Sequence, residues 1–205
     1  MIKAKLGEEV EKLLPRLFPF LFWRRVSPAA LTLTGTAITL GAAVAFGRGA
    51  LVSGALLLLA GGFFDLVDGA VARRNGTSSP FGAFLDSTLD RLGDTAVLVG
   101  LMVHYSAVGQ PPWVALAGFV LITSVMTSYA KARAGQLGSL LQVGVIERGE
   151  RVVLIVLGGL TGWMVPALAI LAVGGAVTVA QRLALAYREL ERAEPETGRG
   201  GEHPG

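Results

Sequence analysis

Long apolar runs fill most of this chain, broken by short polar or Gly/Pro-bearing stretches. A spanning helix needs roughly 20 mostly apolar residues, and six segments answer to that pattern, near 29–48, 50–73, 82–105, 111–134, 148–164 and 166–188. Ahead of them, Val10, Leu13, Leu14, Leu17 and Phe18 recur at helical spacing, with Glu8, Glu9, Lys12 and Arg16 elsewhere on the wheel. That predicts an amphipathic helix lying at the bilayer interface over residues 1–25. Its scattered charges, and the want of a small-residue cleavage site after an apolar run, are unlike a signal peptide. The tail at 191–205, polar and rich in Gly and Pro, is expected to be disordered. No internal repeat or soluble second domain is evident. The expected fold is an all-α integral membrane protein: six transmembrane helices within 26–190, preceded by the N-terminal amphipathic interfacial helix.

Composition agrees with the pattern. Hydrophobic residues make up 52% of the chain and charged ones only 16%, too apolar for a soluble domain of this size. The formal charge of +3 could suggest a nucleic-acid partner, but in so apolar a chain basic residues mark cytoplasmic loops and phosphate sites, and no nucleic acid is expected. Lys and Arg gather in the N-terminal segment, at Arg73 and Arg74, between Lys131 and Arg151, and around Arg182, Arg188 and Arg192. The connections HYSAVGQPPW and GWMVP have none, and the first inter-helix connection has only Arg48. This distribution predicts a multi-pass protein of the cell (inner or plasma) membrane, both termini and the acidic clusters facing the cytoplasm. There are no cysteines, which excludes disulfides, thiolate metal sites and cysteine nucleophiles and leaves carboxylate oxygen as the natural metal ligand.

Acidic residues inside the second and third apolar segments carry the chemistry. An ionised carboxylate at membrane depth persists only when paired, bound to a cation or facing a wet cavity. Asp65 and Asp68 are three apart and Asp86 and Asp90 four apart, so each pair projects from one helix face. The short loop NGTSSP predicts that the two helices are antiparallel neighbours, which would bring the four carboxylates together. Such a cluster repels itself unless some of its members are protonated or divalent cations sit within it, and Mg²⁺ or Mn²⁺ fits a carboxylate-only cluster, two ions suiting a reaction at a diphosphate. Gly69 and Gly82 leave room for a ligand or a neighbouring backbone. Arg73, one turn beyond Gly69, can neutralise phosphate oxygens.

The run Asp65, two residues, Asp68-Gly69, two residues, Ala72-Arg73, eight residues, Gly82, three residues, Asp86, three residues, Asp90 resembles at every position the signature of the CDP-alcohol phosphotransferase family. The resemblance implies that Asp65, Asp68 and Asp86 bind divalent metal, and that Asp90, grouped with them at the metal, is the general base for the acceptor hydroxyl. It implies that Asp68, Gly69, Ala72, Arg73 and Gly82 line the pocket for a CDP-lipid such as CDP-diacylglycerol. Pro28 and Thr32 match the family's Pro-x-x-x-Thr element near the nucleotide, with Ala29 where Asn is common.

A second set is one serine among basic residues: Ser128, Lys131 and Arg133 in TSYAKARA, Arg148 and Arg151 in IERGER, and Arg182 in VAQRLALAY. Single Lys or Arg residues at helix ends often only snorkel, but together these would hold a second phosphate. The runs Ser128 to Arg133, Ile146 to Arg151 and Gln181-Arg182 resemble the phosphatidylinositol phosphate synthase subgroup. That resemblance implies an inositol phosphate acceptor held by Ser128, Lys131, Arg148, Arg151 and Arg182. Glu147 and Glu150 are expected to orient those arginines, and Asp94 to support the site or link helices. Gly158, Gly159, Gly174 and Gly175 are expected to let helices or subunits pack closely. Trp23, Trp113 and Trp163 are expected in the interfacial belt, and no catalytic role is expected of His104 or His203. Membrane lipids and a second copy of the chain, forming a homodimer, are the other expected partners. A glycerol phosphate acceptor is the alternative within the family, and a transporter is the competing class.

Overall fold

The computed structural model describes residues 27–136 and 143–193. The expected N-terminal amphipathic helix, Trp23, His203 and nearly all of the tail lie outside the described residues. Six helices follow one another: α1 Pro28–Gly47, α2 Leu51–Arg74, α3 Pro80–Ala107, α4 Pro111–Gln136, α5 Arg148–Thr161 and α6 Met164–Ala193. Their bounds fall close to the six apolar segments. Four of them, α1, α2, α4 and α6, are long and apolar enough to cross a membrane. Acidic residues interrupt α3, and α5 has only 14 residues, about 21 Å at 1.5 Å per residue against a hydrocarbon core of about 30 Å.

Local chemistry sets the helix starts. Pro28 and Pro80 stand in the first turn of their helices, where proline's fixed φ suits the helix and its missing N–H costs nothing. Ser79 caps α3, its hydroxyl accepting from Gly82 N at 3.0 Å. At α5, Glu147 and Glu150 form a reciprocal capping box, Glu147 N donating to Glu150 Oε2 at 3.0 Å. The connections at 48–50, 75–79, 108–110 and 162–163 are short and reverse the chain.

The principal packings close a ring in the order α1, α2, α5, α6, α4, α3 and back to α1. The sequence expectation that α2 and α3 pack as neighbours is corrected here. Their loop joins only their ends, and α1 lies against both. Glycines let α1 in closely: a Cβ on Gly100 of α3 would collide with the Ala43 carbonyl, and one on Gly61 of α2 with Thr39. The other expected small contacts are present. Gly159 meets Ala55 and Leu51, Gly158 meets Met164, Gly174 meets Ile146, and Gly175 meets Thr123.

The ring differs at its two ends. Phe46, Leu58, Leu98, Leu101, Leu168 and Leu171 belong to one buried apolar cluster. They come from the end of α1, the start of α2, the far half of α3 and the start of α6, and so plug one end of the ring. The acidic half of α2 and of α3 lies at the opposite end. Outside, large apolar side chains such as Leu33, Leu56, Ile122, Val153, Ile170 and Val173 are exposed, the surface that a lipid-embedded bundle presents.

Candidate active site

At the unplugged end the first turns of α1 and α3 and the last turns of α2 surround a cavity of about 390 Å³. It exists because α1 holds α2 and α3 apart. Thr32, Asp68, Gly69, Ala72, Arg73, Gly82 and Asp86 all line it, with Thr77, Ser78 and Ser79 of the loop. The Thr32 hydroxyl stands 2.5 Å from Asp68 Oδ2 and 3.0 Å from Pro28 O, so this buried threonine fastens α1 to the carboxylate of α2. The Arg73 guanidinium folds back over Gly69, where a Cβ would come within 3.2 Å of Nη1. The missing side chain thus seats a cation at the cavity wall.

Deeper in the ring the carboxylates meet arginines from α5. Arg148 reaches across the interior to Asp65 Oδ2 at 2.5 Å, Asp90 Oδ1 at 2.9 Å and Asp94 Oδ1 at 3.5 Å. Arg151 pairs with Asp94 Oδ2 at 3.2 Å. One guanidinium therefore ties α2, α3 and α5, although α5 is a ring neighbour of α2 and not of α3. Asp94, outside the signature, holds both arginines and links helices, as expected.

The four signature aspartates are divided. Asp68 and Asp86 line the cavity, whereas Asp65 and Asp90 turn to Arg148. With the side chains so placed, among the described residues no three acidic or histidine groups stand close enough to share an ion. The donor set nonetheless fits a hard divalent cation. It is all carboxylate oxygen: Asp65, Asp90 and Asp94 pair with the two arginines of α5, while Asp68 and Asp86 line the cavity beside Arg73, so five carboxylates stand against three guanidinium groups.

Of the basic set, Arg148 and Arg151 are at the carboxylates, and Arg182 is behind them. Its side chain is 4% exposed and pairs with Glu147 Oε1 at 3.1 Å. It also donates to Val143 O at 2.9 Å and Thr127 O at 2.5 Å. The Thr127 carbonyl directly precedes Ser128, which is half-buried, while Lys131 and Arg133 are exposed at the end of α4. His104 lies toward the far end of α3, beside Tyr105.

Two contributors escaped the sequence reading. Gly35 of α1 lies against Asp65, where a Cβ would stand 3.2 Å from Oδ1. Thr178 of α6, wholly buried, accepts from Val145 N and Ile146 N. The position of Gly35 one turn beyond Thr32 hints at the first; Thr178, in an apolar run, carries no local signal.

A cavity with an acidic inner wall, a cation over a glycine and a threonine-held aspartate is suited to a metal-bound diphosphate. The model of the CDP-alcohol phosphatidyltransferase family matches residues 25–186. The chain belongs to this family. It is a multi-pass membrane transferase of phospholipid biosynthesis, a CDP-alcohol phosphatidyltransferase, and the resemblance read from Asp65 to Asp90 is thereby met.

Curated relatives of this phosphatidyltransferase carry related names. It is 40% identical over 193 residues to the phosphatidylinositol phosphate synthase of Streptomyces avermitilis, covering 87% of this chain and 79% of the relative. It is 38% identical over 167 residues to the archaetidylinositol phosphate synthase of Methanothermobacter thermautotrophicus, covering 78% and 83%. Among solved structures, the phosphatidylinositol phosphate synthase of Mycobacterium tuberculosis with CDP-DAG bound superposes with a TM-score of 0.74 at 31% identity, covering 89% of this chain and 94% of that one. The same enzyme in complex with manganese and citrate gives 0.74 at 32%, covering 88% of each.

Proposed function

We propose that this chain transfers the phosphatidyl or archaetidyl group of a CDP-lipid to a hydroxyl of inositol phosphate, releasing CMP. The observation that carries it is the juxtaposition of the cavity lined by Asp68, Gly69, Ala72, Arg73 and Gly82 with arginines 148 and 151 on its carboxylate side. The names of the relatives favour the same acceptor.

In this reading the CDP headgroup occupies the cavity of α1, α2 and α3, with Arg73 on its phosphates and Thr32 holding Asp68 in place. Asp65, Asp68, Asp86 and Asp90 would hold Mg²⁺ or Mn²⁺, two ions by the count of carboxylates. When bound, the metal polarises the diphosphate and neutralises charge on the departing CMP. Asp90 takes the proton from the acceptor hydroxyl. The hydroxyl oxygen bonds to the lipid-bearing phosphorus as the bond from that phosphorus to the CMP oxygen breaks. Arg148 and Arg151, joined by Lys131 and Ser128, bind the acceptor's own phosphate, and Arg182 supports them through Glu147. The lipid tails leave sideways into the bilayer. The charged end and both termini face the cytoplasm, where CDP-lipid headgroup and inositol phosphate are reachable, and the chain works as a homodimer.

The test is CMP release from CDP-diacylglycerol by the purified protein, offered inositol phosphate, glycerol phosphate, free inositol and serine in parallel. Preference for inositol phosphate, lost on chelation and restored by Mg²⁺ or Mn²⁺, is expected. Preference for glycerol phosphate would replace the acceptor, and full activity in excess chelator would remove the metal.

A further inference from the structure

Residues 143–147, which lead into α5, deliver Arg148 and Arg151 to the site, and a strip on α6 grips them. The residues of the strip, Gly174, Thr178 and Arg182, are four apart and so share one helix face. Gly174 admits Ile146, whose side chain occupies the space that a Cβ on this glycine would fill. The Thr178 hydroxyl accepts from Val145 N at 3.1 Å and Ile146 N at 3.0 Å and donates to Gly174 O at 2.8 Å. A hydroxyl has one proton and two lone pairs, so this group is used to capacity. Arg182 takes Val143 O and Glu147 Oε1, which brackets the segment at both ends. Gly144 has a φ of 151°, and a Cβ there would stand 2.7 Å from Thr178 Cγ2, so the segment lies flush against the threonine.

From this segment the chain passes into Glu147, the N-cap of α5, and then at once into Arg148. Arg182 holds the N-cap Glu147 from the same face of α6, and the amides of Val145 and Ile146 that Thr178 takes precede any helical hydrogen bond of α5. We propose that Thr178 is a positioning residue for the acceptor: its hydroxyl pins residues 145 and 146 to α6 and so sets where Arg148 and Arg151 stand. The proposal rests on the acceptor reading above. It predicts a division between substrates, because the donor cavity is built by α1, α2 and α3, none of which Thr178 touches in any of these hydrogen bonds.

The full-length protein in detergent or nanodiscs carries the test, with three variants. Thr178→Val keeps the shape and removes the acceptor, Thr178→Ser keeps the hydroxyl, and Gly144→Ala pushes on the same contact from the segment side. Thr178→Val is expected to raise the acceptor KM about tenfold or more while the CDP-lipid KM stays within about twofold. Peptide-level hydrogen exchange over 143–147 should quicken in the same variant. Thr178→Ser should restore both readouts, and Gly144→Ala should reproduce the acceptor KM rise even if the valine variant does not fold. Equal changes in both KM values, no change in either, or no rescue by serine would overturn the proposal. If the wild-type protein prefers glycerol phosphate, the inositol phosphate reading fails by itself; the same KM division measured with glycerol phosphate would then uphold Thr178, and its absence would overturn it.

Discussion

Arg148 is the residue on which the site's electrostatics turn. Its guanidinium binds Asp65, Asp90 and Asp94 together, so without it three carboxylates crowd one another in a partly buried place. Arg148→Gln should lower stability in metal-free buffer by about 2–3 kcal/mol, less than for a fully buried pair. It should also respond more strongly than wild type to Mn²⁺, because the ion then supplies the missing charge. Thermal unfolding with and without Mn²⁺ checks this; equal Mn²⁺-induced shifts in the two proteins would refute it. Asp90→Asn is the second test at this scale. It should cut kcat by about a thousandfold or more while CDP-lipid binding persists, since the base serves the acceptor and not the donor. Loss of donor binding as severe as in Asp68→Asn would deny Asp90 its separate part. The aspartates were legible in the sequence because each breaks an apolar run at a cost that demands a reason. Their partner was not, because Asp65 and Arg148 are 83 residues apart and nothing local to either announces the pairing.

Among elements, α1 sets the spacing of α2 and α3, and it does so through close contact at glycines. Gly100 of α3 sits directly on the Ala43 carbonyl of α1, so a side chain there must push apart two main chains that cannot yield as a flexible side chain would. Gly100→Val should destabilise the protein by about 2–4 kcal/mol. Gly135→Ala, with nothing among the described residues within 4 Å of the new methyl, should leave stability unchanged within about 0.5 kcal/mol. Denaturation of the two variants in one detergent gives the comparison, and similar midpoints would show that the α1–α3 contact is not tight. The helices themselves were readable from apolar length and from the short polar or Gly/Pro-bearing breaks between the runs. Their neighbours were not. A short loop between α2 and α3 constrains where the two ends lie but not what intervenes along their length, and the small residues that admit α1 look alike in sequence whichever helix they face. Thr178 shows the same limit, since a threonine in an apolar helix ordinarily bonds back to its own turn, and here it does that and holds a distant loop as well.

At the scale of the whole molecule, the ring is open and charged at one end and filled at the other by Phe46, Leu98, Leu101, Leu168 and Leu171. Any water-soluble species that reaches the carboxylates must leave the way it came. The bundle is therefore expected to be electrically tight, a field across the membrane falling over the apolar plug. Liposomes containing the enzyme should hold a proton gradient as long as empty ones do, even while CMP is released, and a leak that scales with turnover would show that the plug opens. Catalysis would then be one-sided, and a phospholipid could be made in an energised membrane without discharging it.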